Sequence, residues 1–294
     1  MTEIDDGGAG SRRRRGSLRK WFDAVRARLG QAGRWAPSGG PRRLPAIVLS
    51  CDRYRPFAAH MIMRYEAVWP SHPFTFHVPY QRRALRGPRV ASRRTRESIR
   101  ATTLGLLEEF DDEAWVYWCI DDKYPIQLVQ PPVERLAEAV LSDRLPGMDG
   151  VLFCRCRRLL LPEYLFEERR DGPGGVVLRR RKDYSQIWIH QFLRVKVLRQ
   201  LFLRLPKSIP YAGSMDAMKD RIALPADHRL YVVETNLAVF GESTVGGRIT
   251  RNCAASLRAQ GLGLPPGFEE TDEEILMGTI GAGPERSPAV SGGE

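Results

Sequence analysis

The chain has 294 residues, 43% of them hydrophobic, enough for one large α/β domain or two small ones and too apolar for wholesale disorder. Its formal net charge of +11 is unevenly placed: residues 1–43 hold eleven Lys/Arg against four Asp/Glu, which leaves +4 for the remaining 251 residues. No apolar run is long enough to span a bilayer, no secretory leader is legible, and five scattered cysteines without C-x-x-C spacing point to a reducing, cytoplasmic setting.

Residues 1–16 are rich in Gly, Ser, Asp and Arg and are expected to be disordered. Residues 17–30 read as a short helix, with Leu18, Trp21, Phe22, Val25 and Leu29 at helical spacing and Arg19, Lys20, Arg26 and Arg28 on other faces. Such a basic, aromatic-striped helix suits the surface of an anionic membrane, peripherally on the inner face. It is too short to be stable alone, and docking on the folded domain would bury the same stripe. A Pro/Gly-rich linker follows, so residues 1–43 form a basic tail.

A single α/β domain is expected over residues 44–280. Residues 46–51 form a continuous apolar run that fits a buried parallel strand. Helical spacing over residues 58–69, a strand at 73–80, an Arg-rich loop, and a helix at 95–110 come next. A strand at 115–120, a helix at 131–141 with proline in its first turn, and a strand at 150–156 complete an alternating pattern. That alternation predicts α/β layers around a mostly parallel sheet flanked by helices. Beyond residue 160 the chain is less regular: a turn or mobile loop over 162–182, a long helix over 184–205, a strand at 230–234, and a bent hairpin or loop over 240–252. Residues 281–294 are expected to be a disordered tail.

In open α/β sheets, ligands bind beyond the carboxyl ends of the strands. Two such ends are polar here: Ser50-Cys51-Asp52-Arg53-Tyr54 and Asp121-Asp122-Lys123-Tyr124. Asp121 and Asp122 are hard oxygen donors suited to Mn²⁺ or Mg²⁺, which could clamp a diphosphate and offset the charge on it as it leaves. Adjacent aspartates also terminate strands simply by starting turns.

Three segments resemble bacterial glycosyltransferases of surface-polysaccharide assembly, which have a GT-A-type fold. The run 46–54, Ala-Ile-Val-Leu-Ser-Cys-Asp-Arg-Tyr, looks like their opening strand and loop. The run 115–124, Trp-Val-Tyr-Trp-Cys-Ile-Asp-Asp-Lys-Tyr, is similar to their Asp-containing strand end, a relative of D-x-D. The run 183–188, Asp-Tyr-Ser-Gln-Ile-Trp, resembles a segment that leads into a helix near the acceptor side. The resemblance implies transfer of a sugar from a nucleotide-diphosphate donor to a polysaccharide or lipid-linked acceptor. It implies that Ser50, Cys51, Asp52 and Arg53 lie at the nucleotide, with Arg53, Arg55 or Arg100 toward phosphate, and that Asp121 and Asp122 hold the metal. Lys123 stands where a second spaced aspartate would be, and its charge could replace part of the cation's.

An inverting transfer needs a base for the acceptor hydroxyl. Asp183, Glu234 and Glu242 are the candidates. Glu242 lies in Phe-Gly-Glu-Ser-Thr-Val-Gly-Gly-Arg248, whose glycines could approach a phosphate or simply turn a hairpin. Two other readings compete. A nucleic-acid-binding protein would account for the basic tail and the many arginines, although no nucleic-acid motif is present. A catalytically inactive scaffold would keep the fold without turnover.

Overall fold

The computed structural model describes residues 17–28, 43–209 and 214–280. The expected disordered segments 1–16 and 281–294, and the linker before residue 43, lie outside the described residues. In chain order, α1 (residues 17–28) is followed by β1 (Leu44–Leu49), α2 (Arg55–Val68), β2 (Phe74–Tyr80), β3 (Val90–Arg94), α3 (Ile99–Leu107), β4 (Trp115–Ile120), β5 (Lys123–Leu128) and α4 (Gln130–Leu141). Then come β6 (Gly150–Leu152), β7 (Leu165–Gly172), β8 (Val176–Arg181), β9 (Gln191–Arg194), α5 (Val195–Arg204) and α6 (Ser214–Lys219). The last elements are β10 (Leu230–Val233), β11 (Ala238–Glu242), β12 (Thr244–Val245), β13 (Arg248–Ile249), α7 (Arg251–Ala259) and β14 (Leu276–Met277).

The strands read as continuous apolar runs because both of their faces are covered. Along β1, Ala46 and Val48 join one core cluster while Ile47 and Leu49 join the other. Along β4, Tyr117 and Cys119 face the first cluster, Trp118 and Ile120 the second, the period of two that a pleated strand imposes. Helices α2, α4 and α7 cover one face, α3 and α5 the other.

The main sheet has the order β3-β2-β1-β4-β9-β6-β10-β8-β7. Strands β3, β2, β1 and β4 are parallel to one another. Strand β9 is antiparallel to both β4 and β6, so β6 and its parallel neighbour β10 run in the same direction as the first four. This is the expected α/β class, a mostly parallel sheet flanked by helices. A second sheet has the order β14-β11-β5, and its strand β5 starts three residues after β4 ends.

Several local expectations need correction. The Arg-rich loop contains β3, an edge strand, and the following helix starts only at Ile99, capped by the Ser98 hydroxyl accepting from Ala101 N–H. Residues 162–182 form the β7–β8 hairpin rather than a loop. The long helix at 184–205 is a turn, then β9, then the shorter α5. Helical spacing lost there because the backbone edges of β4 and β6 both need partners, and Gln191–Arg194 supplies them to both at once. Gly246 and Gly247, at φ 56° and 78°, make the two-residue turn between β12 and β13, where positive φ at both positions favours glycine.

Helix α1 docks on the domain. Trp21 and Val25 are buried in the core, and the Trp21 Nε1–H donates to Gly263 O at 2.9 Å. Phe22 lies 4.0 Å beneath the Arg55 guanidinium. Most of the stripe that could have faced a membrane is spent on the protein itself. Among the described residues no helix is long and apolar enough to cross a membrane.

Candidate functional site

Leu49 and Ile120 are paired at the carboxyl ends of β1 and β4, so the two polar segments emerge side by side. The Asp121 N–H donates to Leu49 O at 3.2 Å, which ties the two strand ends together. Asp121 is buried; loss of solvent, and then the charge of Asp122, hold its carboxyl well above the usual carboxylate range. Burial and Asp121 likewise push the Cys51 thiol up.

The chain then turns sharply into β5, and the β5–β11 pairing sets Lys123 opposite Glu242. The buried Lys123 Nζ donates to Asp122 Oδ1 at 2.8 Å and to Glu242 Oε1 at 2.9 Å. Burial works against this ammonium, but the two carboxylates together outweigh it and raise its pKa. The arrangement is tied down from behind. The Ser243 N–H donates to Asp122 O at 2.6 Å, and the Thr250 hydroxyl donates to Glu242 O. Gly241 permits this approach: a β-carbon there would stand 2.5 Å from the Tyr124 ring.

Behind Asp121 runs a buried polar chain whose direction follows from its ends. Ile120 O can only accept, so His190 Nε2 carries the proton it donates there at 2.9 Å. His190 Nδ1 therefore accepts from the Tyr65 hydroxyl at 2.7 Å, and Tyr65 in turn accepts from Tyr117, also at 2.7 Å. Burial lowers the His190 pKa to about 4, so the ring is neutral. The histidine holds the peptide that precedes the aspartates, with both ring nitrogens satisfied in the core.

Two residues at the site were not singled out by sequence. Arg157, at φ 49°, extends its guanidinium to 3.8 Å from Glu242 Oε2. Gln186, at φ 62°, accepts from the Cys156 thiol at 3.1 Å. Non-glycine residues in the left-handed region cost energy and tend to gather at functional sites. Nothing in the local sequence signals Arg157. Gln186 lay within the Asp183–Trp188 segment, which leads into β9 rather than into a helix.

The other expected residues have different duties. Both Asp52 oxygens accept from backbone, Oδ1 from Gln81 N–H at 3.0 Å and Oδ2 from Arg82 N–H at 2.8 Å, which latches the β1 loop to the end of β2. Arg53 is exposed and stacks near Phe268 and Tyr54. Arg55 is buried and donates to Arg83 O at 2.8 Å. Arg100 sits half-buried on α3. Asp183 accepts from Ser185 N–H at 2.7 Å in its own turn. Glu234 is paired with Arg169 at 2.9 Å and Arg179 at 3.5 Å, on the β7–β8 hairpin. Arg248 donates to Glu270 O at 2.7 Å, and the Gly246-Gly247 turn faces open space. Of the three base candidates, only Glu242 joins Asp121 and Asp122.

The carboxylates do not fit a divalent cation as they stand. The oxygens of Asp122 and Glu242 that converge are both taken by Lys123, so a positive charge already occupies their meeting point. Among the described residues no three His, Cys, Asp or Glu side chains are grouped to hold a metal.

No family model matches the chain, and no curated protein matches it. Among solved structures, it is similar to the galactosyltransferase LgtC in complex with donor and acceptor sugar analogues, at 13% identity and a TM-score of 0.34, over 63% of this chain and 68% of that one. An active-site mutant of LgtC gives 13% identity and a TM-score of 0.33, over 62% of this chain and 66% of that one. The match thus spans about two thirds of the LgtC chains. At such TM-scores the likeness carries no argument, and the functional reading rests on the site.

Proposed function

We propose that this protein is a glycosyltransferase that moves a sugar from a nucleoside-diphosphate donor to a carbohydrate or lipid-linked hydroxyl acceptor. The observation that carries the reading is the cluster Asp121, Asp122, Lys123 and Glu242, gathered where parallel strands β1 and β4 end. The ordered resemblance of residues 46–54, 115–124 and 183–188 to such enzymes supports it.

The acceptor oxygen attacks the anomeric carbon, the bond to the diphosphate oxygen breaks, and the acceptor proton passes to a carboxylate. Glu242 is the carboxylate placed to receive that proton. Lys123 and Arg157, on either side of Glu242, are the positive charges available to the departing diphosphate. Ser50 and Cys51, beside Asp121, face the nucleotide.

Many of the arginines that suggested nucleic acid are engaged within the protein: Arg93 with Glu108 and Glu109, Arg179 with Glu234, and Arg181 in the core. A thermal-shift screen across UDP- and GDP-sugars tests donor binding, because a ligand of the native state raises its stability. One donor class should raise the Tm, and Glu242→Gln should keep that shift while losing about a hundredfold or more in transfer rate. If no nucleotide-sugar shifts the Tm, or if the variant turns over like the parent, the reading fails.

A further inference from the structure

Residues 80–104, which run from the end of β2 through β3 into α3, hold eight arginines and a single acid, Glu97. Two of the eight are neutralised: Arg89 pairs with Glu66, and Arg93 with Glu108 and Glu109. Arg86 lies back along the connection between β2 and β3. The other five, Arg82, Arg83, Arg94, Arg96 and Arg100, make no ion pair among the described residues, and all but the half-buried Arg100 are exposed. The charge of neighbouring Asp52 acts on buried Arg55, which leaves the five guanidiniums facing Glu97 alone. Lys207, whose carbonyl accepts from the Ser98 hydroxyl at 3.4 Å at the head of α3, adds a further cation.

These cations stand on a braced edge. The Gln81 N–H donates to Asp52 Oδ1 at 3.0 Å, and the Asp52 N–H donates to Gln81 Oε1 at 3.1 Å. Gln81 Nε2 donates to the Thr95 hydroxyl at 3.3 Å. The Thr102 hydroxyl donates to Arg96 O at 2.8 Å, so it accepts from Thr95, 3.3 Å away. Arg82 follows Gln81, and Arg94 and Arg96 flank Thr95, so this chain fixes the backbone that carries all three. Leu49 is paired with Ile120 and Tyr80 with Arg94. Continuing the β1–β2 register from Ile47 and His77 sets Ser50 beside Tyr80. Arg94 therefore ends a row that begins at Asp121, three strand spacings or about 14 Å away.

We infer that this edge binds an acidic glycan and leads it to the transfer site, which, given the glycosyltransferase reading on which this rests, makes the acceptor an anionic polymer. Guanidinium forks match the paired oxygens of carboxylates and phosphates. A nucleoside diphosphate concentrates its charge on two adjacent phosphates and would fill one end of so long a row. A polymer with an acid on each repeat meets several of the cations at once. A bilayer finds nothing apolar to take up, because the exposed large hydrophobic side chains, Leu160, Leu161, Phe166, Leu203 and Leu276, all lie on other segments. The bases of a single-stranded nucleic acid stack on aromatic rings set among the cations, and residues 81–84 and 94–98 contain no aromatic.

The test is fluorescence anisotropy of the full chain with labelled oligogalacturonate, a phosphomannan oligosaccharide, neutral dextran of equal length, and oligo(dT). An acidic glycan should bind, and the two acidic probes tell carboxylate from phosphate. Dextran should not bind, and salt should release the acidic probe as screening shortens the reach of the charges. Arg82→Ser/Arg83→Ser and Arg94→Ser/Arg96→Ser change exposed side chains and should leave the Tm unaltered. Each double variant should weaken binding by about tenfold or more, the combined worth of two exposed charge contacts. An equal loss of charge elsewhere on the surface, Arg144→Ser/Arg221→Ser, should change binding by less than about twofold. Failure of both acidic glycans to bind, equal or tighter binding of oligo(dT), or equal losses from the Arg144/Arg221 pair would each overturn the inference. Both edge variants should keep the donor-induced Tm shift; its loss would assign these arginines to the nucleotide and overturn the inference as well. The parent's own donor-induced shift, read without glycan, reports on the glycosyltransferase reading separately.

Discussion

Replacing Lys123 by methionine tests the centre of the site. The substitution keeps much of the aliphatic stem but removes an ammonium whose side chain is only 9% exposed and which donates to Asp122 at 2.8 Å and to Glu242 at 2.9 Å. Two carboxylates would then face each other without full solvent, their side chains being 27% and 18% exposed, and with only the exposed Arg157 guanidinium, 3.8 Å from Glu242, left as a counter-charge. Removing one member of a buried ion pair costs roughly 3–5 kcal/mol. Partial exposure of both acids places this case near the lower end, about 3 kcal/mol. For a domain of this size that is a fall in Tm of roughly 6–12 °C. Urea unfolding of the parent, Lys123→Met, Glu242→Gln and the double variant measures it as a cycle. The double variant should be less damaged than the two single effects summed, because the second change relieves the repulsion left by the first. A Lys123→Met cost below about 1 kcal/mol, or strict additivity, would mean that the ammonium does not hold these acids together.

Acid should weaken the fold through its buried imidazoles. His190 and His60 titrate at about 4 and about 3 in the native state because burial lowers both. The unfolded chain therefore binds the extra protons as pH falls below about 6.5, and stability drops with it; for His190 the loss reaches roughly 3 kcal/mol near pH 4. Urea unfolding between pH 7 and 4 should show this slope, and His190→Gln should lessen it by about one proton's share while that of His60 remains; an equal slope in the variant would rule out His190 as a source. Trp21→Ala should lower stability by about 3 kcal/mol, the usual value for emptying a buried aromatic site. An unchanged Tm would show that α1 does not dock on the Gly263 segment in solution.

The layered α/β class and strands β1 and β4 were legible in the sequence because strands covered on both faces must be apolar throughout. The same logic exposed both polar strand ends, Ser50 to Tyr54 and Asp121 to Tyr124, since acids directly after such runs can only emerge at a sheet edge. Which groups meet there was not legible. Glu242 lies 119 residues from Lys123, and only the β5–β11 register, with Gly241 allowing Tyr124 to close on it, sets them face to face. Asp52, equally prominent in the sequence, spends its carboxylate on the backbone of Gln81 and Arg82, a contact decided by how the ends of β1 and β2 approach. Arg157 and Gln186 take a left-handed backbone that their residue types do not announce. Local periodicity reports what a segment must bury. Long-range pairing decides which charges have to neutralise one another, and that pairing is what made a lysine the hub of the carboxylate cluster.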